Sequence, residues 1–285
     1  MKPMDHLLLR LEHAWDCLQA FRTREQAFMR SNPHRVWQEV EPESKDNLVC
    51  IEQTAPFPFE LAFLAGDCIH NLHATLDNLV TALPGADPEQ SAFVILDRPP
   101  VDDEGRPIPF AERAWRLKGI DPKAISLIES LQPYQQTQTS YGSQAPIGLQ
   151  LWRLEELSTR DKHRTPSVVA RLPETTSPDD PGWVVTVPGS SDPDPRWVVT
   201  VPSQDPFYLS VGTFQERREL WRVAWRGDGD PPEVRLKPDV VLEVVFGEGV
   251  SVAGMPVEPL LIDLHNCVRY DVLPLFEDFL QRAAS

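Results

Sequence analysis

Residues 66–80 constrain this chain most, because their apolar and polar side chains separate cleanly at helical spacing. At about 100° per residue, the apolar side chains fall within about 120° of arc. These side chains are Cys68, Ile69, Leu72, Leu76, Leu79 and Val80. The stretch therefore predicts an amphipathic helix with a core-facing stripe that the rest of the chain must cover.

The opposite face of this predicted helix is polar, but its composition is unusual. It carries Asp67, His70, Asn71, His73, Asp77 and Asn78. A solvated helix face is usually built from Glu, Lys, Arg and Gln, which form helices well. His, Asp and Asn form helices less well and offer directed hydrogen bonding and acid–base chemistry instead. This face is therefore a candidate site.

The remaining periodicity predicts helices and strands in separate groups. Helical spacing covers residues 4–30, 60–83, 110–117, 122–131, 146–160 and 256–283, the last with a kink at Pro274. Strand-like runs cover residues 35–40 and 47–52, which predict a hairpin, and residues 92–96. From Val168 the periodicity changes to strands, with runs at 183–188, 197–202, 207–211, 221–225 and 240–246. The run Trp-Val-Val-Thr-Val-Pro occurs twice, at 183–188 and 197–202, which indicates a duplicated hairpin arm.

Grouped helices and grouped strands are typical of an α+β protein and not of a doubly wound sheet. We expect a helical bundle of the N-terminal, central and C-terminal helices. An antiparallel β layer would come from the hairpin near 35–52 and from strands within 166–247. The predicted organisation is a helical domain with a hairpin insertion at 1–165, a proline-rich β segment at 166–250, and a C-terminal helix at 251–285 that packs back on the bundle.

Composition narrows the class of protein. A net charge of −16 and a pI near 4.8 weigh against a general nucleic-acid binder. The four cysteines are far apart and form no CxxC pair, so we expect buried free thiols. No N-terminal stretch resembles a signal peptide, and no apolar run approaches 18 residues. These features predict an acidic cytoplasmic protein that does not span a membrane.

Three motifs occur in order along the chain. They are Gly66-Asp67-x-x-His70-Asn71-Leu72 leading to Leu76-Asp77, then Leu131-Gln132-Pro133-Tyr134, then Leu154-x-Glu156-Leu157 leading to Asp161-Lys162-His163-Arg164. Together they resemble a widespread family of uncharacterised bacterial proteins, mostly actinobacterial. The resemblance covers about residues 7–170 and, more weakly, the last helix. The family has no settled activity.

The first motif also resembles, distantly, the Arg-x4-His signature of HEPN-type helical ribonucleases, which typical family members retain. In this chain the arginine position is His73 and the histidine position is Asn78. An amide is neither a general acid nor a general base. The resemblance therefore implies a HEPN-like helical protein whose ribonuclease site is degenerate.

A metal or acid–base site between two helices is one hypothesis for the polar face. Asp67, His70, His73 and Asp77 lie at helical spacing, and carboxylate and imidazole suit Mn, Fe or Zn. Asp161 and His163 could complete the set if the helix ending near residue 160 packs alongside. The protein would then be a hydrolase, metal-dependent or ribonucleolytic, with catalytic residues His70, Asp77, Asp161 and His163.

Nucleic-acid processing is a second hypothesis, because the chain has one local basic cluster. Its members are Arg153, Arg160, Lys162, Arg164 and Arg171. The same cations could instead favour the dipole at a helix end.

The third hypothesis is structural. Asp67, His70 and Asn71 could join Asp161, His163 and Arg164 in a buried polar network that fixes helix packing. The protein would then act through a protein partner or a small ligand. The leading prediction is therefore a non-catalytic or degenerate HEPN-like protein acting through a partner, with the hydrolase as the alternative.

Overall fold

The computed structural model describes residues 3–135, 145–161, 168–171, 197–200, 208–209, 218–226 and 243–283. The chain divides into two compact units. The first comprises the described parts of Met1–Thr23, Glu60–Val168 and Phe246–Ser285, and the second those of Arg24–Phe59 and Val169–Val245. The protein is α+β, as the sequence predicts.

Helices build the first unit, to which α1 contributes its residues up to Thr23. Their bounds are α1 Pro3–Arg30, α2 Glu60–Thr81, α3 Phe110–Arg113, α4 Pro122–Ser130, α5 Ile147–Asp161, α6 Val257–Asn266 and α7 Glu277–Ala283. A π-helical turn, Cys267–Val272, and a 3-10 turn, Leu273–Phe276, join α6 to α7. The prediction of a C-terminal helix interrupted near Pro274 is therefore confirmed.

The helix α2 is the centre of this unit. Its apolar stripe is buried as predicted, and α2 packs against both α5 and α6. The stripe residues that the sequence singled out are all 0% exposed: Cys68, Ile69, Leu72, Leu76, Leu79 and Val80. Burying a side chain of this size contributes roughly 1.5–3 kcal/mol. The apolar face of α2 therefore holds the helical unit together.

Helix α1 runs antiparallel to α6 within this unit. Arg22 Nε lies 3.0 Å from Glu258 Oε1, and the rings of Trp15 and His265 are 5.0 Å apart. Trp15 lies seven residues before Arg22 on α1, and His265 lies seven residues after Glu258 on α6. Each spacing is about two helical turns. The two contacts place α1 beside α6 in opposite directions.

Two sheets lie largely within the second unit, and the four strand pairings whose register is described are antiparallel. The strands are β1 His34–Val40, β2 Asn47–Gln53, β3 Val168–Arg171, β4 Trp197–Thr200, β5 Tyr208–Leu209, β6 Arg218–Trp225 and β7 Glu243–Phe246. Their order is β1-β2-β6-β4 in one sheet and β5-β3-β7 in the other. The first copy of the Trp-Val-Val-Thr-Val-Pro repeat, residues 183–188, lies outside the described residues.

The predicted hairpin forms, with Val36 opposite Ile51 and Trp37 opposite Cys50. It groups with the second unit. The reason is its hydrogen bonding, because β2 pairs with β6 along its other edge. The last helices group with α1 and α2 in the first unit.

The prediction of a strand at residues 92–96 is wrong, because these residues form no strand. Side chains, and not a neighbouring strand, form the hydrogen bonds to the backbone of this segment. The Phe93 amide donates to Asp77 Oδ1 at 3.0 Å. The Gln132 side chain accepts from the Leu96 amide at 2.7 Å and donates to the Val94 carbonyl at 2.9 Å. Two side chains thus satisfy backbone groups that a β ladder normally satisfies.

Candidate functional site: a buried histidine between two carboxylates

The polar face of α2 does not form one site, because its residues lie in different environments. Asp67 and His70 are exposed, whereas Asn71 and His73 are buried and Asp77 is partly buried. Asn71 is satisfied within its own helix, where its Nδ2 donates to the Asp67 carbonyl at 2.7 Å. The structure therefore separates the predicted pair of histidines, and only His73 lies inside the protein.

His73 lies between two carboxylates. Its Nε2 is 2.7 Å from Glu155 Oε2 on α5, and its Nδ1 is 3.3 Å from Asp77 Oδ2, one turn along α2. The His73 side chain is only 9% exposed, and those of Asp77 and Glu155 are 34% and 38% exposed. The cluster therefore joins α2 to α5 at the edge of the core.

The charge of His73 follows from these neighbours. Burial favours the neutral ring, but hydrogen bonds and charges from Asp77 and Glu155 outweigh burial and raise the pKa of His73 to about 9. At neutral pH the ring is therefore an imidazolium, and both of its nitrogens are donors. An imidazolium paired with carboxylates is a charge-assisted contact and is stronger than a neutral hydrogen bond.

This arrangement limits what His73 can do chemically. A protonated ring is not a general base, and a nitrogen bonded to a carboxylate is not a metal ligand. Asn78, at the position where the HEPN signature has histidine, carries an amide. Neither His73 nor Asn78 therefore offers a general base at neutral pH.

Sequence reasoning missed Glu155, which lies at the unspecified position of the motif Leu154-x-Glu156-Leu157. Its partner is 82 residues away in sequence, so no local pattern connects them. One signal was present, because a histidine beside the apolar stripe of α2 needs an acidic partner if it is charged. The helix that supplies that partner is decided by tertiary packing.

The other two motifs also brace the helical unit. Gln132, which is 0% exposed, holds residues 94 and 96 as described above, and its Nε2 also donates to the Ile128 carbonyl. Glu156 accepts from the Ser251 amide at 3.1 Å through each of its oxygens and from the Ser251 hydroxyl. Each of the three motifs therefore contributes a side chain that fixes backbone elsewhere in the unit.

Several predicted residues lie outside the described part of the chain. These are the side chain of Asp161, together with Lys162, His163 and Arg164, and the side chains of Arg160 and Arg171. Arg153 lies partly buried on α5. Of the predicted catalytic set, the structure thus describes the side chains of His70, which is exposed, and Asp77, which is paired with His73.

The metal hypothesis rested on Asp67, His70, His73 and Asp77. Among the described residues, no three or more His, Cys, Asp or Glu side chains are arranged to hold a metal ion. The four cysteines are free and buried, as the sequence predicts. No described helix combines the length and apolar content that crossing a membrane requires.

Comparison of the chain with models of known protein families, with curated proteins and with solved structures finds no match. The likeness to the actinobacterial family and to HEPN-type ribonucleases thus stays a prediction from three motifs. The function has to be argued from the site itself.

Proposed function

We propose that this chain is a non-catalytic helical protein, a degenerate HEPN-like protein that acts through a partner. The observation that carries the proposal is the position of His73, buried and charged between Asp77 and Glu155. The residue at the arginine position of the signature is thus engaged in joining two helices. This supports a structural role in helix packing for the polar face of α2, and not a catalytic role.

The bracing side chains support the same proposal. Asp77, Gln132 and Glu156 each come from a different motif, and each receives a hydrogen bond from a backbone amide in a loop. Side chains that satisfy loop backbone hold the loops in one conformation. Motifs built this way preserve a shape that a partner can recognise.

Exposed aromatic rings support a partner. In the first unit, Phe63, Trp115 and Tyr270 are 59%, 58% and 64% exposed. Aromatic side chains are enriched where proteins bind one another, because they contribute large contact areas at low entropic cost. The buried free cysteines are consistent with a reducing compartment, and we propose that the protein acts in the cytoplasm.

A ribonuclease assay tests the proposal. Purified full-length protein, with and without added Mn²⁺ or Mg²⁺, is incubated with single-stranded and structured RNA. We expect no cleavage above the background of the variant His73→Gln. Cleavage by the wild-type protein that His73→Gln abolishes, while the variant still folds, would overturn the non-catalytic proposal in favour of the hydrolase.

A second variant tests the degenerate signature. The double substitution His73→Arg with Asn78→His restores the Arg-x4-His spacing at both positions. RNA cleavage that appears only in this double variant supports a HEPN-like origin. The single variants serve as matched controls, because each restores one position alone. If the folded double variant is also inactive, the HEPN-like part of the proposal loses its support.

A further inference from the structure

His265 is a buried histidine that the proposed function does not use. It lies on the inner face of α6 and is 3% exposed. Within the described part of the chain, neither of its ring nitrogens has a hydrogen-bond partner. Buried polar groups nearly always have partners, because an unpaired one costs roughly 1–3 kcal/mol. This histidine is therefore an exception that needs a reason.

The surroundings of the His265 ring favour its neutral form over its charged form. Trp15 of α1 packs on the ring with 46° between the ring planes. Nearby, the Leu11 carbonyl and the Asn266 side chain favour the charged ring but do not reach hydrogen-bonding geometry. Because the ring is 3% exposed and packs against Trp15, an imidazolium there is poorly solvated.

The charged group nearest His265 along the chain also favours the neutral ring. Arg269, one turn along the chain, opposes a second positive charge on the ring. On the α1 side, the nearest described ion pair joins Arg22 to Glu258, two turns away. Helices α2 and α5 also pack against α6, but among the described residues neither presents a charged group that acts on the ring. No carboxylate there compensates a protonated His265.

The backbone next to His265 offers a place to bend. Helix α6 ends at Asn266 and continues directly into the π-helical turn Cys267–Val272. π-helical turns are rare and occur frequently at functional sites. The turn is followed by Pro274, which cannot donate an i to i−4 hydrogen bond. The segment that carries His265 is thus bordered by irregular helix.

We propose that His265 makes the contact between α1 and α6 pH-sensitive, so that acidification loosens α6 from α1. This inference goes beyond the proposed function and does not depend on it. Protonation puts a charge into the apolar interface beside Arg269. Opening at Trp15 then solvates that charge. The loosened helices expose apolar surface from both sides of the interface.

The sign of the pH dependence follows from the folded protein. Burial lowers the pKa of His265 below its ordinary value of 6.5. The folded state therefore binds fewer protons than the unfolded state at mildly acidic pH. The contribution of the contact to stability is present above pH 6.5 and is lost as pH falls through the folded pKa.

Tryptophan fluorescence tests the proposal at the contact itself. The full chain and the variant Trp15→Phe are titrated from pH 8 to pH 4.5, and the difference between them isolates Trp15. Trp15 is already 37% exposed in the closed contact. We expect its emission to shift further to the red as pH falls below 6.5, because opening exposes the rest of the indole to water. An unchanged Trp15 emission over the whole titration, down to pH 4.5, would overturn the proposal.

The variant His265→Phe provides the decisive comparison, because it keeps an aromatic ring against Trp15 and removes the titrating nitrogens. We expect the acid shift of Trp15 to disappear in this variant. The exposed histidine variant His70→Phe is the matched control and should keep the shift. An equal shift in His265→Phe and in wild type assigns the transition to other groups and refutes the proposal.

Arg269→Gln keeps His265 and so provides a test that survives if His265→Phe fails to fold. Removing the guanidinium charge should raise the pH at which His265 titrates, observed by NMR of the imidazole Cε1 proton. It should also reduce the amplitude of the Trp15 shift. An unaltered titration of the His265 ring in this variant would contradict the proposed role of Arg269 and the switch that depends on it.

Discussion

The Nε2 atom of His73 on α2 lies 2.7 Å from Oε2 of Glu155 on α5. This contact joins two helices that are separated by more than 60 residues of intervening chain. Because Asp77 binds the other ring nitrogen, the ring is held from both sides. A histidine held in this way contributes to stability through its charge, and the first two predictions concern that charge.

Replacing His73 should destabilise the protein. The substitution His73→Gln keeps a polar side chain but removes the positive charge between two carboxylates. Because both carboxylates are about one-third exposed, water screens part of the loss. We expect the free energy of unfolding to fall by about 1–3 kcal/mol, measured by urea denaturation.

The matched control for His73→Gln is His70→Gln, on the exposed side of the same helix. Its effect should stay within about 0.5 kcal/mol, as is usual for surface substitutions. Equal effects of the two substitutions would show that the bridge between α2 and α5 contributes nothing measurable.

The stability that His73 contributes should depend on pH. The folded pKa of about 9 lies above the ordinary value of 6.5. The contribution is therefore complete below pH 6.5 and is lost as pH rises through 9. The full shift corresponds to an upper limit of about 3 kcal/mol. Unfolding measured from pH 6 to pH 10 should show a decline in the wild type that is absent from His73→Gln.

NMR titration of the His73 ring checks the same prediction directly. Its imidazole protons should keep the chemical shifts of the charged form up to about pH 8. A midpoint near 6.5 would mean that Asp77 and Glu155 do not hold the proton, and would remove the physical basis of the bridge.

The sequence predicted the helix that carries the site but not the arrangement of the site. The apolar stripe of α2 is visible because periodicity reports burial on one helix. His70 and His73 differ in position by about 60° around the helix axis, and only packing against α5 decides which is buried. For the same reason Glu155 was missed, since its contact with His73 depends on tertiary structure.

The fold shows the same limit. Residues 92–96 are apolar and rich in β-formers, so a strand was the reasonable prediction. The backbone of this segment instead forms hydrogen bonds with the side chains of Asp77 and Gln132. A side chain that replaces a strand partner leaves no periodic signal. Likewise, the hairpin was predicted, but its pairing with β6 depends on residues about 170 positions later.

Replacing Gln132, which is 0% exposed, should be costly. The variant Gln132→Ala leaves the Val94 carbonyl and the Leu96 amide without their side-chain partner. Each unsatisfied buried group costs about 1–3 kcal/mol. Because residues 94 and 96 are only partly buried, water offsets part of that cost. We expect a loss of about 2–4 kcal/mol in thermal or urea unfolding. The exposed residue Gln90 provides the control Gln90→Ala, with a loss below about 0.5 kcal/mol. Comparable losses in both variants would contradict the bracing role.

Substitutions at two glycines with positive φ, Gly85 and Gly105, measure the cost of backbone strain separately from the cost of a steric clash. Gly85 and Gly105 have φ of 83° and 80°. A Cβ at Gly85 would lie 2.1 Å from the Gly119 carbonyl oxygen, whereas a Cβ at Gly105 would meet nothing within 4 Å. Gly105→Ala should therefore cost only the left-handed conformation, about 1–2 kcal/mol. Gly85→Ala must in addition move the backbone of residue 119, and we expect a further loss of about 1–3 kcal/mol. Chemical denaturation of the two variants measures the difference, and equal losses would mean that the two loops separate without cost.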